Sequence, residues 1–208
     1  MLFLLKIRFT LEHIYPIFDT SLNLADKQKL LKQKSLVVWM VGLSGSGKST
    51  LARALENTLH EKGVLTQLLD GDNLRTGINN NLGFSEEDRI ENIRRAAEVS
   101  KLFMNCGVVT ICSLISPTEE IRSMAKNIIG DDYFEVFIKC PIEVCEQRDV
   151  KGLYKKARKG EIKNFTGIDS PFEEPNFAAL NLETHIKSIE ECHQELVDSV
   201  LEKIEFKD

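Results

Sequence analysis

The 208-residue chain lacks most of the features that assign a protein to a common class. Its five cysteines, Cys106, Cys112, Cys140, Cys145 and Cys192, form no C-x-x-C pair and no metal-ligand spacing, so they read as reduced, mostly structural thiols. Cys112 lies within an apolar strand-like run, where a thiol behaves as a small hydrophobe. The four histidines, His13, His60, His185 and His193, keep no spacing to an acidic or thiol partner and are assigned no chemistry. No apolar run approaches the length needed to span a bilayer. The opening Met1-Leu2-Phe3-Leu4-Leu5 is too short for a signal-peptide core, and Lys6 and Arg8 follow it rather than precede it. A cytoplasmic protein with no membrane partner is expected. A net charge of −5 argues against a general nucleic-acid or membrane-surface binder, so any cationic function must be local. There is no internal repeat, no low-complexity stretch and no [NT]-K-x-D guanine-specificity motif. What remains is an ordinary globular composition, 42% apolar and 28% charged, at a size that supports one buried core.

Against that plain background one string is specific. Gly42-Leu43-Ser44-Gly45-Ser46-Gly47-Lys48-Ser49, with Thr50 behind it, satisfies G-x-x-x-x-G-K-[ST] without a mismatch. An apolar, β-branched run from Leu36 to Val41 leads into it and reads as a buried parallel strand. A helical pattern follows, with Leu51, Ala52, Leu55 and Leu59 on one face and a stop at Gly63. Strand, glycine loop and helix N-terminus together make an anion site, because backbone N–H groups turn inward and the helix dipole adds positive charge. Lys48 would reach the β- and γ-phosphates of a nucleoside triphosphate such as ATP, and the Ser49 hydroxyl would take a Mg²⁺ position.

From Leu36 onward strand and helix patterns alternate. Strands are expected at 36–41, 64–69, 108–114 and 134–138, with a weaker fifth near 178–182 and a last helix at about 185–204 carrying Ile186, Ile189, His193, Leu196, Val197, Val200 and Ile204 at helical spacing. The expected fold is α/β: a P-loop NTPase fold with a parallel five-stranded sheet, helices on both faces and a basic lid. Residues 1–23 are an unassigned N-terminal extension, and 24–208 form one domain. Within it, Ala25 to Lys34 suits a short lysine-rich helix after a polar turn at Asp19–Asn23.

Ligands in such sheets collect beyond the carboxyl ends of the strands. The second strand ends in a loop, Asp70-Gly71-Asp72-Asn73-Leu74-Arg75. Its two carboxylates could serve a Mg²⁺-bound phosphate or orient an attacking hydroxyl, and Arg75 adds an anion-binding fork. A bare turn is the competing reading, since Asp, Gly and Asn are turn formers. Downstream, Ser85 is placed to cap a helix with Glu86, Glu87 and Asp88 in its first turn. Arg89 and Asn92 then share a face near its start, beside Phe84, whose ring could stack on a base. Ile115-Ser116-Pro117 closes the third strand, where Ser116 is either a nucleophile or a hydroxyl donor. The stretch from Arg148 to Lys163 holds seven bases against two acids. It fits a cationic cover hinged at Gly152 and Gly160, or a solvated face.

Taken together these strings resemble the adenylyl-sulfate kinase family from about Leu24 to the C-terminus. The strings are Gly42–Thr50, Asp70–Arg75, Leu82–Phe103, Ile115–Pro117 and Lys151–Pro175; the phosphate loop is widely shared, whereas the Asp-Gly-Asp-Asn loop together with Lys-Gly-Leu-Tyr-Lys-Lys-Ala-Arg and Asn-Phe-Thr-Gly-Ile-Asp-Ser is far more specific. The resemblance implies transfer of the ATP γ-phosphate to the 3′-hydroxyl of adenylyl sulfate with Mg²⁺. It implies an ATP loop from Gly42 to Thr50, and an adenylyl-sulfate site lined by Asp70, Asp72, Arg75, Phe84, Arg89, Asn92, Ile115, Ser116, Lys151 and Phe165, with Phe84 and Phe165 sandwiching adenine. Asp72 would orient or deprotonate the 3′-hydroxyl, and Ser116 matches a serine described in the family as a phosphoserine intermediate. A homodimer is implied, and the chain has no room for a fused ATP sulfurylase, which would be a separate polypeptide. Thr118 and Glu119 depart from the family pattern, an aromatic residue followed by arginine, while Arg122 keeps it. The alternatives are a shikimate, gluconate or nucleotide kinase of related fold, or a nucleotide-binding regulator. The Asp-Gly-Asp-Asn and Phe-Thr-Gly-Ile-Asp segments discriminate against the related kinases.

Overall fold

In the computed structural model the described residues are 15–17 and 20–206; the Met1–Leu5 run, His13 and Asp19 lie outside them. Five parallel strands, β1 (Leu36–Val41), β2 (Thr66–Asp70), β3 (Val109–Ser113), β4 (Tyr133–Lys139) and β5 (Leu180–Glu183), form one sheet in the order β2-β3-β1-β4-β5. All six residues of β1 are buried, as a central strand covered on both faces requires. Its side chains alternate between two cores. Leu36, Val38 and Met40 pack with helix α2 (Lys48–Glu61) and helix α8 (Ile189–Ile204) through Leu51, Leu55, Leu196 and Val200. Val37, Trp39 and Val41 face helices α4 (Glu86–Met104) and α5 (Glu119–Ile129) through Ile93, Ala97, Ile121 and Ala125.

The remaining helices are α1 (Leu24–Leu31), α3 (Gly71–Thr76), α6 (Ile142–Arg148) and α7 (Leu153–Arg158). Asn23 caps α1 in a capping box with Asp26, and the helix ends where Lys32 turns left-handed, short of the Lys34 expected. The Asp70–Arg75 segment is not the loop its composition suggests. Asp70 ends β2 and its carboxylate accepts the Asp72 N–H at 3.0 Å, which nucleates α3 directly off the strand. The last helix starts later than its apolar period implies. Ser188 and Glu191 close a capping box there, leaving His185 and Ile186 in a turn, with Ile186 exposed rather than in the core. The N-cap expected at Ser85 is present, its hydroxyl accepting from Asp88 N at 3.2 Å.

Candidate active site

The strand carboxyl ends converge on the phosphate loop. Gly47 adopts φ +106° as it enters α2, a conformation that a side chain would strain. A Cβ on Gly42 would meet the Ile138 carbonyl at 2.7 Å, so the loop can lie against β4 only without one. The outward carbonyls of the loop are tied back: Tyr154 donates its hydroxyl to Ser44 O (2.9 Å), Thr184 Oγ1 to Ser46 O (2.7 Å) and Arg148 to Gly45 O (3.4 Å). Arg148 is itself held by Thr184 O at 2.6 Å. With these carbonyls anchored outside, the loop N–H groups other than those of Gly42 and Ser46, which donate to Ile115 O and Leu43 O, are left for a ligand. Lys48 is buried and donates to Leu43 O at 2.6 Å, crossing the loop that a phosphate chain would fill. Burial lowers its ammonium pKa to about 8, partly offset by the nearby Asp70 and Asp72. Burial also raises the Cys145 and Cys112 thiols to about 12, which suits structural cysteines.

Ser49 donates to Asp70 Oδ2 at 2.7 Å and lies 3.2 Å from Ser113 Oγ, so the loop's hydroxyl and the end of β2 share one polar cluster. Thr50, one residue on, is exposed on α2. Beyond Asp70, Asp72 is exposed at the site mouth and forms an ion pair with Lys151, which reaches over from the basic segment. That segment otherwise divides: Arg158 pairs with Glu146, whereas Lys155 and Lys156 stay exposed.

Arg75 and Arg89 face the same space. Arg75 donates to Gly83 O at 2.7 Å and stacks 4.4 Å from the Phe84 ring centroid. Burial lowers the pKa of both guanidiniums, and the charge of Arg89 lowers Arg75 further, so an anion between them would relieve both costs. Arg89 also acts as a clasp. It donates to Phe84 O (3.1 Å), to Thr166 Oγ1 (2.7 Å) and to the Asn164 carbonyl, joining the start of α4 to the Asn164–Thr166 turn. This brings the Phe84 backbone beside the turn that carries Phe165; the Phe84 ring is largely exposed, and the Phe165 ring packs edge-on against Tyr154 at 5.0 Å.

Ser116 occupies a different environment from that of an accessible nucleophile. It is buried at φ +47°, its hydroxyl accepts the indole N–H of Trp39 at 3.0 Å, and its carbonyl accepts from Arg122 at 3.1 Å. Ile115, half-buried, lies against the loop through Gly42 N. The departure at Glu119 is absorbed locally: its carboxylate pairs with buried Arg122 at 2.9 Å, and its N–H donates to Glu173. Arg122 also bonds Glu173 O at 2.8 Å, pinning the Phe165–Pro175 return segment beside Ser116. Sequence reasoning missed Trp39, Arg148 as a loop anchor, Tyr154 and Thr184. Only Thr184, just past the carboxyl end of β5, falls where the strand-end rule would point.

A parallel sheet with this loop, an acidic pair at the carboxyl end of β2 and a cationic cover defines a P-loop kinase. Comparison with known proteins narrows the class. The adenylylsulphate kinase family model matches residues 34–183. An adenylyl-sulfate kinase of Bacteroides thetaiotaomicron is 62% identical over 196 residues, covering 94% of this chain and 98% of that protein. One from Clostridium acetobutylicum is 56% identical, with coverages of 88% and 90%. Among solved structures, the Mycobacterium tuberculosis APS kinase in complex with AMPPNP and APS superposes with a TM-score of 0.77 at 48% identity, covering 80% of this chain and 98% of that one. The chain belongs to the adenylyl-sulfate kinase family.

Among the described residues no three His, Cys, Asp or Glu side chains gather as a metal-holding group, and no helix is long and apolar enough to cross a membrane.

Proposed function

We propose that the protein transfers the γ-phosphate of ATP to the 3′-hydroxyl of adenylyl sulfate, giving 3′-phosphoadenylyl sulfate and ADP. The observation that supports this most is the bond from Ser49 to Asp70, which fuses the triphosphate loop with the Asp70–Arg75 segment into one site. Phe84, Arg75, Arg89, Asn92, Ile115 and Phe165 hold the acceptor nucleotide: the rings take adenine, and the two arginines take its anionic phosphosulfate group. Asp72 receives the proton of the 3′-hydroxyl as its oxygen bonds to Pγ and the bond from Pγ to the β-phosphate bridging oxygen breaks. Lys48 follows the charge that develops on the β- and γ-oxygens. Lys151 leaves Asp72 for the transferring phosphoryl group once both nucleotides are seated. Ser116 sets the wall of the pocket rather than carrying phosphate, since its hydroxyl is buried against Trp39.

The Ser49 hydroxyl and the Asp70 carboxylate are hard oxygen donors side by side, which fits Mg²⁺, an ion that uses one or two protein groups and leaves other positions to phosphate and water. When bound there, Mg²⁺ neutralises β/γ-phosphate charge. We further assign the protein to the cytoplasm, as a homodimer supplied with adenylyl sulfate by a separate ATP sulfurylase.

The test is ADP release from Mg·ATP with adenylyl sulfate, AMP, shikimate and gluconate offered one at a time. Stimulation by adenylyl sulfate alone is expected; stimulation by another acceptor would move the chain to a sister activity, and none at all would make it a nucleotide-binding regulator.

A further inference from the structure

A buried amide that no sequence motif singled out lies directly behind the acceptor site. Asn79 belongs to the turn that follows α3 and is fully buried. Its backbone is fixed on both sides, the N–H donating to Leu74 O at 2.9 Å and the carbonyl accepting from Leu82 N at 3.0 Å. Arg95 staples the same turn to α4, donating to Ile78 O at 3.0 Å and Asn81 Oδ1 at 2.8 Å, with Glu91 bracing Arg95 at 2.7 Å. The side chain of Asn79 is therefore presented to α4 in a fixed position. Its Nδ2 donates to Asn92 Oδ1 at 3.0 Å and lies 3.5 Å from the Asn92 carbonyl, while its own Oδ1 is buried with no partner.

Two consequences follow. The group beside a main-chain carbonyl must be a donor, so the nitrogen of Asn79 faces α4, and the near end of the Asn92 amide must be its oxygen. The far end of Asn92 is then its NH₂, which leaves two N–H groups on the α4 face that also carries Arg89, one turn earlier. A buried amide oxygen left unpaired is a cost to folding that a small apolar side chain would not incur. What the asparagine contributes here is its nitrogen.

We propose that Asn79 is a positioning residue that locks Asn92 as a hydrogen-bond donor, so the acceptor site takes a nucleotide presenting an acceptor atom there and rejects one presenting a donor. This rests on the reading of Asn92 as a substrate-lining residue.

A double-mutant cycle tests it: Asn79→Ala, Asn92→Ala and the double variant, each assayed for kcat and for KM towards adenylyl sulfate and towards ATP. One lost neutral hydrogen bond corresponds to roughly a three- to tenfold change. Asn79→Ala is expected to raise KM for adenylyl sulfate by about that factor, with KM for ATP moved less than about twofold. The double variant should be no worse than Asn92→Ala alone, because Asn79 acts only through Asn92. Multiplying effects in the double variant, or an unchanged KM in Asn79→Ala, overturns the proposal. If Asn79→Ala does not fold, Asn92→Asp serves instead. It keeps an oxygen for Asn79 Nδ2 and puts an acceptor where the NH₂ stood, so it should raise the same KM; an unmoved KM again overturns the idea. An Asn92→Ala variant with normal KM would sink the substrate-lining role itself, and a wild-type protein unresponsive to adenylyl sulfate would sink the parent reading.

Discussion

The two halves of the site are built in different ways. The triphosphate half is one contiguous string, Gly42 to Thr50, shaped by backbone geometry and held from outside by Tyr154, Arg148 and Thr184. The proposed acceptor half is a patchwork of Asp70–Arg75, Phe84–Asn92, Ile115–Ser116, Lys151 and Phe165, joined by side chains. Arg89 clasps α4 to Asn164 and Thr166, Arg122 ties Ser116 to Glu173, and Lys151 lies on Asp72. A contiguous backbone site resists single substitutions except at its lysine and glycines. A site assembled by side chains should lose its geometry one clasp at a time, which is what the following experiments examine.

The largest effect is expected at Asp72, where the halves meet. Asp72→Asn should lower kcat by about 10²- to 10⁴-fold, the usual worth of a general base, with ATP affinity unchanged by equilibrium titration. A loss of ATP affinity would mean the halves are not separable there. Next, Arg89→Ala removes both a clasp and a cation. KM for adenylyl sulfate should rise by about ten- to a hundredfold, with KM for ATP within about twofold, as measured by ADP release. An equal rise in both constants would erase the distinction between the halves.

A smaller, reversible effect belongs to the triphosphate half. Lys48 must be protonated to pair with phosphate, and its pKa in the free protein is lowered to about 8 by burial. Below pH 8 ATP affinity should not depend on this group. Above it, affinity should fall by up to about tenfold per pH unit, until the pKa of the complex, raised by the phosphates, is passed. Calorimetric titration between pH 7 and 9.5 checks the sign; affinity rising with pH would refute it. The smallest effect is expected at Ser116. Ser116→Ala gives up the bond from Trp39 but no bond to a reacting atom, so kcat should stay within about fivefold. Abolished turnover would restore Ser116 as a phosphate carrier.

The same contrast explains what could be read in advance. Leu36–Val41 appears at its expected boundaries because a fully buried central strand is an uninterrupted apolar run, and the Ser85 cap because its signal spans four residues. The α3 helix was hidden because Asp, Gly and Asn signal a turn unless a strand-end carboxylate happens to cap them. The start of α8 was misplaced because Ile186 keeps the helical period by chance while Ser188 sets the boundary. The Asn79–Asn92 pair, the Trp39–Ser116 bond and the anchors on the phosphate loop join residues 13 to 138 positions apart, and no local pattern encodes such contacts.

Trp39 is the sole tryptophan of the chain, lies wholly inside the core, and donates its indole N–H to Ser116 beside the pocket. The protein therefore carries an intrinsic optical reporter at the junction of β1 and the acceptor wall. Its indole emission comes from one site, is shielded from dissolved quenchers, and responds to changes in charge and hydrogen bonding around Ser116. Stopped-flow fluorescence can follow, without a label, any rearrangement that reaches that wall.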